Sequence, residues 1–357
     1  MLNFSVGPVM SHEDIKKIAY NDVPYFRTTE FSNTMLENEK ILKEIAGAGE
    51  NCRVAVMTGS GTLSMEAIML NTIKKDERVL IINGGTFGQR FCNIASVYGF
   101  EYDEIKLEFG KSLKKEHLDN IDGSIYSAVY VNADETSSGL LYDLKLIGEF
   151  CKKYSLFFVV DAISAFLADD IKMDEWGIDA LIIGSQKALA LHPGISILIL
   201  SEKAQIKVEE NENPVFYMSL KNALNDAKRG QTPFTPAVGV ILQLEKRLNN
   251  IKECGIDKEI KKVKDIANYF REKVKKFNLY LITENMSNAV TALKVPNDKS
   301  AKKIFEILKD EYNIWVCPNG GELADEVFRV GHIGNITKED IDKLITSFEE
   351  LEKRGIL

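Results

Sequence analysis

Leu156-Phe157-Phe158-Val159-Val160-Asp161 and, further along, Ala180-Leu181-Ile182-Ile183-Gly184-Ser185-Gln186-Lys187 decide the fold of this chain. Each opens with an uninterrupted apolar run of strand length. Such runs read as strands buried on both faces, as in a mostly parallel sheet. Five more strand candidates lie at 53–57, 78–82, 101–106, 127–131 and 195–200, most of them apolar throughout. Stretches between several of them, such as 64–74 and 142–154, read as helices. The alternation predicts an α/β fold: a mostly parallel seven-stranded sheet with helices on both faces. Only residues 184–194 join the last two strands, and a parallel crossover needs about a dozen residues or more. That pair is therefore expected to be antiparallel, with 184–194 a loop at the sheet's edge.

After residue 236 the character changes. Residues 237–276 read as long helices rich in Lys and Glu. A strand candidate at 289–294, a helix at 298–311, strands near 314–316 and 327–330, and a final helix from Thr337 follow. The expected partition is an arm at 1–15, with Gly7-Pro8 as its turn signal, a large domain at 16–236 and a smaller α+β domain at 237–357.

Composition narrows the function classes. The 357 residues are 45% hydrophobic and 27% charged, which is ordinary for a folded globular chain. The net charge is −8. Without a Lys/Arg-rich cluster, nucleic acid is not an expected partner. The cysteines Cys52, Cys92, Cys151, Cys254 and Cys317 are scattered, odd in number and form no CxxC pair, so neither a metal site nor a disulfide framework is read. No signal peptide is read at Met1-Leu2-Asn3-Phe4. No apolar run reaches about 18 residues, so no membrane span is expected. The expected compartment is the cytoplasm.

Asp161 ends its apolar run and so lies at the C-terminal edge of the sheet, where α/β folds place ligands. It equally suits a helix cap or a solvated strand end. Lys187 follows another such run and is flanked by Ala188-Leu189-Ala190-Leu191. It is either a snorkelling surface lysine or a desolvated amine made nucleophilic by burial. Together the two change the reading. An amine and an acid at the ends of successive strands are what pyridoxal 5′-phosphate (PLP) requires: a lysine to form an imine, and an acid to keep the pyridine nitrogen protonated. Met57-Thr58-Gly59-Ser60-Gly61-Thr62 supplies a turn before a helix, where free N–H groups meet an anion. No Gly-Lys-Ser/Thr follows, so it is not a Walker A loop. Phe87, in Gly84-Gly85-Thr86-Phe87-Gly88, either stacks on a cofactor ring or packs as a loop aromatic.

These residues resemble the class V, fold-type I aminotransferases, and within them the alanine–glyoxylate / serine–pyruvate group. Gly184-Ser185-Gln186-Lys187-Ala188-Leu189 with Pro193-Gly194 looks like that group's Schiff-base loop. Gly7-Pro8, Gly59-Ser60-Gly61-Thr62 with Glu66-Ala67, and Asn83-Gly84 with Phe87-Gly88-Gln89-Arg90 match in family order. So do Glu135-Thr136-Ser137-Ser138-Gly139, Asp161-Ala162-Ile163-Ser164, Thr235-Pro236 and Phe328-Arg329-Val330-Gly331-His332.

The resemblance implies Lys187 as imine lysine and general acid/base, with Asp161 on the pyridinium nitrogen. It implies Phe87 on one ring face and Ile163 on the other. Thr136 would lie near the phenolic oxygen or substrate, and Ser60, Gly61, Thr62 and Gln186 around the phosphate. Thr235 would reach the phosphate of a neighbouring subunit, because the family's sites lie at a homodimer interface. Arg329 would grip the substrate carboxylate, with Gly7 of the arm also on the substrate side. The chain departs from the family's pattern at Ala133, Thr232 and His192.

The reaction expected is ping-pong transamination between a small amino acid, alanine or serine, and a 2-oxo acid, glyoxylate or pyruvate. Arg27 could hold a second anionic group, which keeps aspartate or 2-aminoethylphosphonate open as donor. Cysteine desulfurase and a non-catalytic PLP-binding protein remain as rivals. The desulfurase needs a mobile cysteine, and Cys317 does not follow the Arg329 motif.

Overall fold

The structure is a computed structural model describing all 357 residues. Seven strands form its main sheet: β1 (Arg53–Thr58), β2 (Arg78–Asn83), β3 (Glu101–Lys106), β4 (Ala128–Asn132), β5 (Phe157–Asp161), β6 (Ala180–Gly184) and β7 (Ile195–Leu200). Their spatial order is β1-β7-β6-β5-β4-β2-β3. β7 runs antiparallel to both β6 and β1, as the short 184–194 connection predicts. All other pairings are parallel. β7 lies inside the sheet, between β6 and β1, so the loop 184–194 stands beyond the strand ends rather than on an outer flank. β1 and β3 are the edge strands; β3 carries the polar sequence and mostly open residues of a strand with one neighbour.

Both faces of the sheet are covered, which is why the central strands are apolar at every position. Val129, Val131, Phe158, Val160, Leu181 and Ile183 pack into one core. Their alternates Ala128, Tyr130, Phe157, Val159, Ala180 and Ile182 pack into another. This is the two-residue period of a pleated strand.

The helix expected at 64–74 runs Gly61–Thr72. Its early start puts Gly61 and Thr62 in the first turn, with Ser60 as N-cap. The helix expected at 142–154 runs Leu144–Tyr154, capped by the Asp143 side chain on Leu146 N.

The C-terminal part begins with helices Val238–Cys254 and Ile256–Val274. A four-stranded sheet follows, built from β8 (Tyr280–Leu281), β9 (Val290–Lys294), β10 (Cys317–Pro318) and β11 (Val327–Gly331) in the order β8-β9-β11-β10. Helix Ala301–Tyr312 lies between β9 and β10. Helix Lys338–Lys353 closes the chain behind a capping box of Thr337 and Asp340. At the other terminus, Leu2–Asn3 pairs in parallel with Ile314–Trp315, and Gly331 N donates to Phe4 O at 2.7 Å. We propose the partition 1–15, 16–236 and 237–357 as the domain boundaries; the arm's pairing ties it to the last of these. No helix is long and apolar enough to cross a membrane.

Candidate active site

The parallel strands β4, β5 and β6 end side by side, and the chain leaving each end builds one cavity of about 170 Å³. Ten of the residues expected from sequence line it: Gly7, Ser60, Gly61, Thr62, Phe87, Thr136, Asp161, Ile163, Gln186 and Lys187. Arg90 and Ser164 join them without having been assigned a role from sequence.

Asp161 is the last residue of β5 and is buried. Its Oδ2 accepts from Asn132 Nδ2 at 2.7 Å and its Oδ1 from Ile163 N at 2.9 Å. Burial pushes its carboxyl up to about 6, against the opposing pull of those hydrogen bonds and of Lys187 and Arg90.

Lys187 comes from the turn after β6. Ala190 N donates to Lys187 O at 2.8 Å and Leu191 N to Ser185 O at 3.0 Å, closing the turn. Ala190 takes the left-handed conformation, φ 57°, which such a tight closure demands. Desolvation lowers the Lys187 ammonium below the ordinary lysine range, with Asp134, Cys317 and Asp161 pulling back and Arg329 adding to the depression. Gly7, with φ 128°, approaches so closely that a Cβ there would meet Lys187 Cδ at 2.8 Å. The amine of the two open readings is therefore the desolvated one.

Two helix N-termini face the cavity. Ser60 caps helix Gly61–Thr72 without spending its hydroxyl on a cap hydrogen bond; Leu63 N donates to Ser60 O at 2.9 Å, which leaves that hydroxyl and the N–H groups of Gly61 and Thr62 for an anion. Arg90 donates to Thr62 Oγ1 at 3.0 Å, and its guanidinium lies 4.7 Å from the Phe87 ring centroid. Phe87 lies in the first turn of the second helix, Thr86–Tyr98. The buried carboxylate of Glu135 accepts from Phe87 N at 3.1 Å, Gly88 N at 3.0 Å and Ser137 N at 3.1 Å. Glu135 thus compensates that helix terminus and fixes Phe87, a role its sequence position did not disclose.

The remaining expectations fall outside the cavity. Arg329, on β11, donates through Nη1 to Thr136 O at 3.0 Å and through Nη2 to Pro318 O at 2.8 Å; its Nε is buried without a partner. It therefore stands against a cavity wall rather than in it. Thr235 is exposed and lines a separate depression with Tyr217 and Phe234. Arg27 spends its guanidinium on Gln231 Oε1, Thr232 O and Pro233 O. His192 is exposed, with its backbone N–H on Gln243 Oε1 at 3.1 Å.

The class-V aminotransferase family model matches residues 24–344. The chain belongs to the class-V aminotransferases. An uncharacterized aminotransferase of Methanocaldococcus jannaschii is 32% identical over 345 residues, covering 94% of this chain and 88% of that one. An L-aspartate–glyoxylate aminotransferase of Paracoccus denitrificans is 25% identical over 343 residues, 94% of this chain and 86% of its own. The solved alanine–glyoxylate aminotransferase of a Nostoc species superposes with a TM-score of 0.93 at 25% identity, covering 98% of this chain and 94% of that one.

Class-V aminotransferases use PLP, and the residues of this class-V aminotransferase fit it. An acid buried at one end of the cavity and unspent donors at a helix N-terminus match a ring nitrogen and a phosphate. Space for the ring depends on glycine: a Cβ on Gly61 would lie 2.1 Å from Ile163 Cδ1. Asp134, Ser164, Arg90 and Asn132 are the site residues that sequence reasoning missed. Only the three-residue spacing of Phe87 and Arg90 on one helical turn was a usable signal for any of them.

Proposed function

We propose that this enzyme transfers an amino group from a small amino acid of the alanine or serine type to glyoxylate or pyruvate, by a ping-pong sequence, with PLP held in the cavity. The observation that carries the reading is the convergence of Lys187 and Asp161 from neighbouring strand ends on one cavity. When bound, PLP supplies a covalent attachment for the amino group and an electron sink for the carbanion at the substrate's Cα.

The chain's own residues do the rest. Asp161 holds a proton relation with the ring nitrogen, oriented by Asn132 and Ile163 N. Ser60, Gly61, Thr62 and Gln186 bind the phosphate. Phe87 and Ile163, which line the cavity, would orient the ring, and Thr136 would serve its phenolic oxygen. Lys187, its ammonium held below the ordinary lysine range by desolvation, would take the Cα proton on Nζ and return it on the cofactor side. Arg329 binds the substrate carboxylate after exchanging carbonyl partners for it, with Gly7 leaving room beside Lys187.

Arg329 is the one clamp assigned to a carboxylate, which favours a monocarboxylate donor. Arg27, the proposed holder of a second anion, is engaged by three acceptors. The Paracoccus relative keeps aspartate as the second donor to test. The protein is proposed to act as a cytoplasmic homodimer, with Thr235 serving the neighbouring copy. Exposed Tyr25, Phe216 and Tyr217 support such a contact.

The test is a panel of amino acids added to the PLP-loaded protein, scored by absorbance for conversion of the cofactor to its aminated form. Alanine or serine converting fastest supports the proposal. Conversion only by aspartate or 2-aminoethylphosphonate shifts the substrate, release of sulfide from cysteine makes it a desulfurase, and no conversion by any amino acid refutes transamination. Lys187→Ala is expected to abolish turnover.

A further inference from the structure

Behind the cavity wall sits a carboxyl group that the proposed reaction does not use. Asp134 belongs to the short strand Asp134–Glu135, is buried, and has no partner for its Oδ2. Its Oδ1 meets Ser164 Oγ at 2.5 Å, and Ser164 Oγ lies 2.7 Å from Thr136 Oγ1. Ser164 and Thr136 both line the cavity. The three side chains form one continuous hydrogen-bonded line from a buried acid to the cavity.

We propose that Asp134 is a positioning residue that sets the donor direction of the Ser164–Thr136 hydroxyl pair. The reason lies in proton counting. A hydroxyl has one hydrogen to donate, and an ionised carboxylate can only accept. When Asp134 is charged, Ser164 donates to it, Thr136 donates to Ser164, and Thr136 shows a lone pair to the cavity. When Asp134 is protonated, it donates to Ser164, Ser164 to Thr136, and Thr136 donates into the cavity. Passing from one state to the other moves one proton along the line: Asp134 to Ser164, Ser164 to Thr136, Thr136 to water in the cavity. That proton leaves through the water to bulk solvent, and neither hydroxyl changes charge.

The charges around Asp134 make both states accessible. Desolvation pushes its carboxyl up to about 8, with Asp169 and Asp161 adding to the rise and Ser164 and Lys187 opposing it. Tyr142, with a buried unpartnered hydroxyl, also lies near it, while the adjacent Glu135 is turned to the Phe87 helix. A bound cofactor oxygen beside Thr136 is stabilised as an anion by a donor and destabilised by a lone pair. Asp134 therefore tunes the ionisation of the Lys187-linked cofactor from behind the wall. This inference rests on the PLP reading of the cavity.

The experiment is a pH titration of cofactor absorbance, without substrate, on PLP-loaded wild type, Asp134→Asn, Thr136→Val and Ser164→Ala. The wild type is expected to show two coupled steps across roughly pH 6 to 10. Asp134→Asn, an uncharged donor, loses one step, and Thr136→Val and Ser164→Ala lose the same step by cutting the line. Identical titrations in wild type and Asp134→Asn overturn the proposal. So does persistence of the second step in Thr136→Val or Ser164→Ala, which would make the coupling direct electrostatics; these two variants also keep the test open if Asp134→Asn does not fold. A wild type that develops no cofactor absorbance refutes the PLP reading itself, and this inference with it.

Discussion

Arg329 Nη1 donates to the carbonyl oxygen of Thr136 at 3.0 Å, joining β11 of the C-terminal part to the wall of the cavity in the large sheet. Nη2 makes a second such bond, to Pro318 O, and Nε has no partner although it is buried. A guanidinium held only by neutral carbonyls, with a donor left over, is charged and uncompensated. A carboxylate entering the cavity offers it a stronger, two-pronged partner.

Arg329→Lys keeps the charge and loses the planar fork. We expect KM for the amino donor to rise about tenfold to a hundredfold, the scale of one hydrogen bond to a charged group. Cofactor absorbance should be unchanged. Steady-state kinetics beside a PLP titration check this, and an unaltered KM would remove Arg329 from substrate binding.

Gly61→Ala separates cavity shape from fold stability. At the start of a helix, alanine in place of glycine is favourable by about 0.5–1 kcal/mol. The added methyl, however, would meet Ile163 Cδ1 at 2.1 Å. Displacing Ile163 costs about 1–3 kcal/mol where the cofactor ring has to fit. The variant should stay folded, with a net loss of up to about 2 kcal/mol, and bind PLP about tenfold more weakly or worse. Isothermal titration of the apoprotein reads the affinity, and unchanged binding would show that Ile163 does not border the ring.

Asp161→Asn should change the pH dependence of the apoprotein's stability. The folded carboxyl titrates near 6, above its ordinary 3.8. Between those values the native state binds more protons than the unfolded chain, so Asp161 favours folding at the acid end and loses that contribution as pH rises through about 6. The amide does not titrate. It can still donate to Asn132 Oδ1, which is buried and without a partner, after that side chain turns over. The difference in Tm between wild type and variant should therefore narrow or reverse between about pH 4 and pH 6. Parallel Tm curves would mean that Asp161 is not desolvated.

Glu135→Gln tests the helix terminus beneath Phe87. The carboxylate accepts three backbone N–H groups. An amide presents one acceptor oxygen and a donor that faces other donors. A loss of about 1–3 kcal/mol of stability is expected, together with weaker PLP binding as Phe87 shifts. Chemical denaturation measures the first, and an unaltered midpoint would show that this carboxylate does not hold the Thr86–Tyr98 helix.

Much of this was legible in the chain itself. Leu156–Val160 and Ala180–Ile183 are apolar at every position because helices cover both faces of the sheet, and that pattern alone announced a buried parallel core. The length of 184–194 fixed the antiparallel turn of β7 for a reason of reach, not of packing. Asp161 was readable because it ends an apolar run, and Lys187 because it stands between two, after Gly184-Ser185-Gln186 and before Ala188-Leu189-Ala190-Leu191. Local spacing could not reveal where side chains meet once distant segments are packed. Asp134 faces Ser164 across thirty positions of sequence, and Arg329 reaches Thr136 across a separation of 193. Those partnerships, the orphaned Oδ2 of Asp134 and the commitment of Arg27 to carbonyls are products of tertiary packing. A hydrogen bond depends on position in space, and only the folded chain sets which donors and acceptors are left unpaired.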